Sequence, residues 1–165
     1  MLGKRRKSNE TGHRPKFLVV VDDTEECDRA LYFAACRAAR TNSGVALLAV
    51  VDPAGFHEWL GVGDMIQKEA EEAASAMLNR SAMRAREISG IQADLVIRQG
   101  PRSEQIIQLI EEDEDISFLV LAASSSSEGP GPLVSTLAAK SSGTFPVPIV
   151  IVPGAMSDEE IEALA

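Results

Sequence analysis

An unbroken apolar run from Phe17 to Val21 passes directly into two carboxylates, Asp22 and Asp23. Such a run is typical of a parallel strand that is covered on both faces of its sheet. Ligands of open parallel sheets bind just beyond the carboxyl ends of the strands. The two aspartates therefore lie where a functional site of this chain would form, and the question is which other strand ends meet them.

The rest of the chain repeats this pairing of apolar strand and amphipathic helix. Helical spacing of apolar residues predicts a helix after each of the first four strands, and a Ser157 capping box predicts a short final one. Strands that alternate with helices form a parallel sheet with helices on both faces. The sequence therefore predicts one α/β domain on a single open five-stranded parallel sheet. The predicted strands cover 16–21, 45–51, 92–98, 118–122 and 148–152.

Charge is divided unevenly between the N-terminal segment and the rest of the chain. The whole chain has a formal net charge of −9, yet residues 1–16 hold six Lys or Arg side chains and one Glu. An acidic body repels nucleic acid and anionic membrane, so we expect neither as a partner. We predict a disordered basic tail over 1–15, a folded domain over 16–153, and a C-terminal tail with a short helix over 154–165.

Cysteine spacing and hydropathy together predict the compartment. Cys27 and Cys36 are nine positions apart on one predicted helix, too far along its axis to pair, so we expect reduced thiols. No apolar run approaches the roughly 18 residues that span a bilayer. The basic start is not followed by the apolar segment of a secretory signal. These patterns favour a cytoplasmic protein.

Four segments, read in order, resemble the universal stress protein family between about Pro15 and Pro153. They are VVVDDTEECDRAL, LLAVVDP, RQGPRSEQIIQLIEEDEDISFLVLAAS and PVPIVIVP. The resemblance implies strand order 3-2-1-4-5, a cytoplasmic location and a homodimer through the last strand, Pro148 to Val152. A physical reason supports the dimer, because an apolar strand at a sheet edge is usually covered or paired.

The resemblance also implies where a nucleotide would lie. In the nucleotide-binding branch of the family, ATP lies across the ends of strands one and four. A loop of pattern G-x2-G-x9-G-[ST] holds its phosphates, since glycines let the backbone approach an anion closely. Here Ala122, Ser125 and Ser135 stand at the glycine positions, with Thr136 at the hydroxyl position. The candidate nucleotide cleft comprises Val20, Asp22, Val50, Leu121, Ala122, Ser124, Ser125, Ser135 and Thr136.

Two functions remain open on these residues. The first is a non-enzymatic, dimeric stress-response protein that acts through binding, with nucleotide binding lost or altered and no cofactor. It is favoured because the sequence offers no activated nucleophile and no metal-binding motif. The second is an ATP-binding or slowly ATP-hydrolysing switch, in which Asp22 or Asp23 helps to hold Mg²⁺ and Gly129 and Gly131 serve a shifted loop. The alternative to metal binding is that Asp22 accepts hydrogen bonds from the amides of the turn between strand and helix, while Asp23 is solvated.

A third function, a phosphoacceptor receiver domain, is disfavoured by the strand ends. Receivers also open on an apolar strand with two aspartates, but they need an aspartate at the end of strand three and a lysine at the end of strand five. Here strand three ends in Arg98-Gln99-Gly100, and strand five ends in Val152-Pro153-Gly154. We interpret His57 as a loop residue and the acidic run Glu111 to Asp115 as a solvated turn.

Overall fold

A computed structural model describes residues 4–53, 63–140 and 143–165 of the chain. The strands are β1 (Lys16–Val20), β2 (Gly44–Val51), β3 (Asp94–Gln99), β4 (Ile116–Ala123) and β5 (Ile149–Pro153). The helices are α1 (Cys27–Arg40), α2 (Gly63–Ser89), α3 (Arg102–Glu112), a π-helical segment (Val134–Lys140) and α4 (Asp158–Leu164). The strands form one parallel sheet in the order β3-β2-β1-β4-β5, which confirms the predicted fold.

Strand β1 lies at the centre of the sheet and divides its side chains between two apolar cores. Phe17 and Val19 pack in the core that contains α1 and α2. Leu18 and Val20 pack on the opposite face, with α3 and the π-helical segment. All four side chains are buried. The continuous apolar run of β1 follows from this arrangement, because neither face of the strand meets water.

The start of α1 differs from the sequence prediction. The pattern predicts Thr24 as the N-cap, but α1 begins at Cys27 with Glu26 at the cap position and no side-chain cap. The Thr24 hydroxyl instead donates to Asp22 Oδ1 at 2.5 Å. The sequence pattern identifies Thr24 as a residue that can cap a helix. It does not show that the Thr24 side chain bonds to Asp22 in the turn instead, as short polar side chains often do.

The N-terminal segment 4–15, predicted to be disordered, lies in this structure against the connection between α3 and β4. The Arg6 guanidinium donates through Nη1 to the carbonyl oxygens of Ile110 and Asp113. These carbonyls belong to the end of α3, where unpaired carbonyl groups favour a cation. Arg6 thus connects the basic segment to the end of α3 in this structure.

Four of the five residues in the acidic run Glu111 to Asp115 pair with the chain's own basic residues, whereas Glu111 is exposed. Lys7 Nζ lies 3.0 Å from Glu114 Oε2, and His13 Nδ1 lies 2.6 Å from Asp115 Oδ1. The Lys7 backbone N–H also donates to the Glu114 carbonyl oxygen at 3.0 Å. Composition describes the basic and acidic runs separately, and only the fold brings them together.

Helix α4 packs on α1 beside the sheet. It opens with the predicted capping box, in which Ser157 Oγ accepts from the Glu160 amide at 3.2 Å and the Glu160 carboxylate accepts from the Ser157 amide. Ile161 is fully buried, and the Tyr32 hydroxyl of α1 donates to the Glu162 carboxylate. Residues 154–165 are thus joined to the domain by apolar burial and hydrogen bonds.

Helix α2 covers one face of the sheet with small residues. Ala74, Leu78 and Ala85 are buried, whereas Met83 is 65% exposed. Across the described ranges, no helix combines the length and the apolar character needed to cross a bilayer. The loop that contains His57 lies outside the described residues.

Candidate functional site

The turn between β1 and α1 is shaped by Asp22. Its Oδ1 atom accepts hydrogen bonds from the Thr24 amide at 3.0 Å and from the Thr24 hydroxyl at 2.5 Å. Asp22 is half-buried, whereas Asp23 beside it is exposed. Asp22 therefore has the turn-forming role that the sequence predicts as the alternative to holding Mg²⁺. An aspartate side chain commonly accepts a hydrogen bond from the backbone amide two residues later in the chain.

A small cavity lies where the ends of β1 and β4 meet the start of the π-helical segment. It has a volume of about 70 Å³ and is covered by Pro130, Gly131 and Pro132. Clefts that hold cofactors or drug-sized ligands are usually about 300–1,000 Å³. The cavity is therefore too small for a whole nucleotide in this conformation. Four of the predicted cleft residues, Val20, Asp22, Leu121 and Ala122, line it.

The loop after β4 forms its own closed turns. The Ser124 amide donates to the Pro130 carbonyl oxygen at 3.0 Å, and Ser124 Oγ accepts from the Ser126 amide at 3.2 Å. Gly129 and Gly131 adopt φ values of 109° and 102°, a backbone conformation that favours glycine. The loop's two glycines thus serve its turns, at positions different from those of the family's phosphate loop.

The remaining serine and threonine positions lie away from this cavity. Ser125, Ser135 and Thr136 are not among its lining residues, and Ser135 and Thr136 are exposed on the π-helical segment. The Ser135 amide donates to the Gly131 carbonyl oxygen at 3.0 Å. In this arrangement these hydroxyls do not converge on Asp22.

A larger cleft lies on the other side of Asp22, between the ends of β1 and β2 and helix α2. We call this the Asp22 cleft; it has a volume of about 420 Å³. Val50, the remaining predicted residue, lines it, and the apolar floor also includes Ala70, Ala73 and Met77. Five of the nine predicted residues therefore line these two cavities, which share Asp22, whereas Ser124, Ser125, Ser135 and Thr136 line neither.

Charges of both signs surround the Asp22 cleft. Asp22, Asp23 and Asp52 follow the ends of β1 and β2, and Arg80 and Arg102 also line the cleft. Arg102 begins α3, directly after β3, and also lines the small cavity. Sequence reasoning missed Arg102, although its position after a strand end was a usable signal. Carboxylates and arginines together allow the cleft to bind a polar group through several hydrogen bonds.

A neighbouring arginine is already engaged within the protein. Arg84 Nε lies 3.1 Å from Asp28 Oδ1, and Arg29 Nη2 lies 2.5 Å from Asp28 Oδ2. Burial alone would raise the pKa of Asp28, but the hydrogen bonds from Arg84 and Arg29 outweigh it and lower that pKa. Among the described residues, by contrast, Arg80 and Arg102 form no ion pair, which leaves their guanidinium groups for a ligand.

Two kinds of chemistry lack support at this site. Cys27 lines the small cavity and donates to the Val20 carbonyl oxygen, but burial raises the pKa of its thiol to about 11. A thiol with that pKa is a poor nucleophile near neutral pH. In the part of the chain that the structure describes, no three His, Cys, Asp or Glu side chains are placed to hold a metal ion.

Comparison with known proteins identifies the family. The profile of the universal stress protein family matches residues 13–153. The chain belongs to the universal stress protein family. The match covers the whole sheet and all the helices except α4. No curated protein matches the chain in sequence.

Solved structures of the family share the fold of this universal stress protein. A universal stress protein from Lactobacillus plantarum is 17% identical with a TM-score of 0.69, over 84% of this chain and 97% of that one. One from Archaeoglobus fulgidus in complex with dAMP is 17% identical with a TM-score of 0.58, over 84% and 96%. A universal stress protein in complex with cAMP is 17% identical with a TM-score of 0.61, over 86% and 98%.

Proposed function

We propose that this universal stress protein is a non-enzymatic binding protein whose phosphate loop does not hold ATP. The observation that carries the proposal is the closed loop after β4, which leaves about 70 Å³ between the ends of β1 and β4. Glu26 adds to this, because its Oε1 atom is 4.0 Å from where a Cβ on Gly131 would lie. A triphosphate placed there would meet a carboxylate, and like charges in a narrow cleft repel.

The Asp22 cleft supports a ligand of a different shape. Its volume of about 420 Å³ suits a compact molecule, and its apolar floor suits a flat ring. Arg80 and Arg102 supply donors, and the carboxylates that line the same cleft supply acceptors, for a polar group that need not enter the loop after β4. We therefore propose a small ring-bearing ligand in this cleft, with ligand binding rather than catalysis as the output.

Isothermal titration of the full chain with Mg-ATP, AMP and adenosine tests this proposal. We expect no saturable heat from Mg-ATP at millimolar concentration. A matched variant restores the family pattern through Ala122→Gly, Ser125→Gly and Ser135→Gly. Tight Mg-ATP binding by the natural chain would overturn the proposal. Binding that appears only in the triple variant would locate the cause in the loop.

An ATP-binding switch is the second candidate function. It is favoured by the relatives in complex with dAMP and cAMP and by the position of Val50 and Asp22 in one cleft. In that function Asp22 or Asp23 would help to hold Mg²⁺ beside the phosphates. It predicts that Arg102→Gln weakens Mg-ATP binding by about tenfold, the usual effect of losing a charged hydrogen bond.

We also propose a homodimer through the strand Pro148 to Val152. Strand β5 lies at the edge of the sheet, and Ile151 on it is 41% exposed. An apolar edge strand that is left open favours pairing with another strand. Ile151→Lys should therefore yield a monomer in sedimentation velocity at micromolar concentration. Met83→Lys is the matched control, since Met83 is exposed on α2. A monomeric natural chain would contradict the proposal.

A further inference from the structure

A further cavity, larger than the small cavity and the Asp22 cleft, lies at the amino ends of the strands, whereas Asp22 lies at their carboxyl ends. It has a volume of about 640 Å³ and lies beneath the last turn of α1, beside the first residues of β1, β4 and β5. We call it the lower cavity, and six of its lining residues carry the argument. They are Arg6, Phe17, Phe33, Arg37, Phe118 and Val150. Its volume is within the usual range for small-molecule sites.

Most of the named wall of the lower cavity is apolar and partly aromatic. Phe17 and Phe118 stack with ring centroids 5.1 Å apart and planes 15° apart. Phe33 and Val150 are only partly buried, although both pack against the core. A ring or short hydrocarbon that filled the cavity would cover these side chains, at about 25 cal/mol for each Å² of apolar surface removed from water.

The charged groups that line the lower cavity are both arginines. Arg6 and Arg37 line it, and no carboxylate is among its lining residues. This contrasts with a chain whose formal net charge is −9. A pocket with cations and no anions attracts a negatively charged ligand more strongly when its walls are apolar, because field lines concentrate there.

Arg6 is incompletely satisfied within the protein. Its Nη1 atom is occupied by the carbonyl groups at the end of α3. Its Nη2 atom is shielded from solvent and has no hydrogen-bond acceptor among the described residues. A buried donor without an acceptor costs about 1–3 kcal/mol. Because this atom is out of reach of solvent, Arg6 acts on the cavity through its positive charge, whereas Arg37 is exposed and can contact an anion.

We propose that the lower cavity binds a small organic anion with an aromatic or aliphatic body. The apolar wall takes the body, Arg37 contacts the carboxylate or sulfonate group, and Arg6 adds positive charge beside it. The site is separate from the Asp22 cleft, because the two lie at opposite ends of the parallel strands. The proposal does not depend on whether a nucleotide binds at the other edge.

Fluorescence titration with two probes of similar shape tests the proposal. The probes are 8-anilinonaphthalene-1-sulfonate, an anion, and N-phenyl-1-naphthylamine, its neutral counterpart. Arg37→Gln removes a cavity charge, and Arg86→Gln makes the same charge change on α2 away from the lower cavity. Phe33→Ala removes part of the apolar wall.

We expect Arg37→Gln to weaken binding of the anion by about tenfold and to leave the neutral probe unchanged. Phe33→Ala should weaken both probes, and Arg86→Gln neither. The proposal is overturned if the natural chain does not bind the anion at submillimolar concentration. It is also overturned if Arg37→Gln and Arg86→Gln have equal effects, and this comparison stands even where Phe33→Ala prevents folding.

Discussion

The Gly154 amide donates to the Ala123 carbonyl oxygen at 2.7 Å, and this contact joins the ends of β4 and β5. A Cβ on Gly154 would come within 2.4 Å of the same oxygen, closer than any real methyl contact. A glycine is therefore required at position 154, where the backbones at the carboxyl ends of β4 and β5 approach closely. The candidate site lies at the same ends of the strands.

Gly154→Ala should destabilise the protein by about 1–3 kcal/mol, the usual cost of forcing an atom into a packed contact. Urea unfolding followed by circular dichroism measures the change. Gly143→Ala is the control, since a Cβ there meets nothing within 4 Å and its φ is not strained. Equal stability of the two variants would show that the backbone at Gly154 relaxes freely.

Glu114→Gln should make the N-terminal segment more accessible to trypsin. The Glu114 carboxylate is charged at neutral pH and pairs with Lys7, and the hydrogen bond from Lys7 lowers the pKa of Glu114 further. Because exposed ion pairs are weak, we expect cleavage after Lys7 to be only about two- to fivefold faster. Mass spectrometry of a digestion time course measures it, with Glu111→Gln in the same acidic run as control.

Alkaline pH should weaken the contact between α1 and α4. The hydrogen bond to Glu162 raises the pKa of Tyr32 from 10.0 to about 12. Because Tyr32 keeps its proton more tightly in the folded protein than in the unfolded chain, its hydrogen bond stabilises the folded state fully at pH values below 10. This stabilisation is lost between about pH 10 and pH 12, where Tyr32 ionises first in the unfolded chain. Tyr32 is the single tyrosine, so tyrosinate absorbance reports it directly.

The stability difference between the natural chain and Tyr32→Phe should therefore shrink as the pH rises from 9 toward 12. Urea midpoints at several pH values measure this difference. A tyrosinate titration centred near pH 10 in the folded protein would contradict the hydrogen bond to Glu162.

Cys27 should react slowly with alkylating reagents at pH 8. Burial raises its pKa to about 11, so only about one thiol in a thousand is ionised at that pH. A Cys36→Ser variant isolates Cys27, and iodoacetamide labelling followed by mass spectrometry measures the rate. The same variant in urea is the control and should react much faster. Rapid labelling of the folded variant would show that the small cavity opens readily.

The architecture follows from local sequence patterns, because each strand of a covered parallel sheet must be apolar on both faces. The runs that end at Val21 and Val51 locate β1 and β2, although β1 itself ends at Val20. Ser157 predicts the start of α4 because a capping box satisfies amides only a few residues away. Such interactions join residues that are close together in the sequence, and the sequence pattern therefore predicts them.

The sequence pattern predicts only part of the candidate site. Asp22 and Ala122 lie at strand ends, and the sequence places them at one edge of the sheet. Arg102 is absent from that prediction because β3, which precedes it, is an edge strand, and only the fold shows that the turn after β3 brings Arg102 to cavities that Asp22 also lines. The closed turn from Ser124 to Pro130 likewise depends on the hydrogen bond between these two backbones, a pairing that the glycines and serines of the loop permit but do not by themselves predict.

The sequence by itself determined the five-stranded parallel sheet, the family and the position of Asp22 at a strand end. The tertiary structure alone decided that only five of the nine cleft residues line the two cavities that share Asp22. It also decided that the basic segment pairs with the acidic run, and that two arginines line an apolar cavity at the amino ends of the strands. The physical reason is distance along the chain. Periodicity and capping act between near neighbours, whereas cavity volume and charge pairing depend on segments as far apart as Lys7 and Glu114.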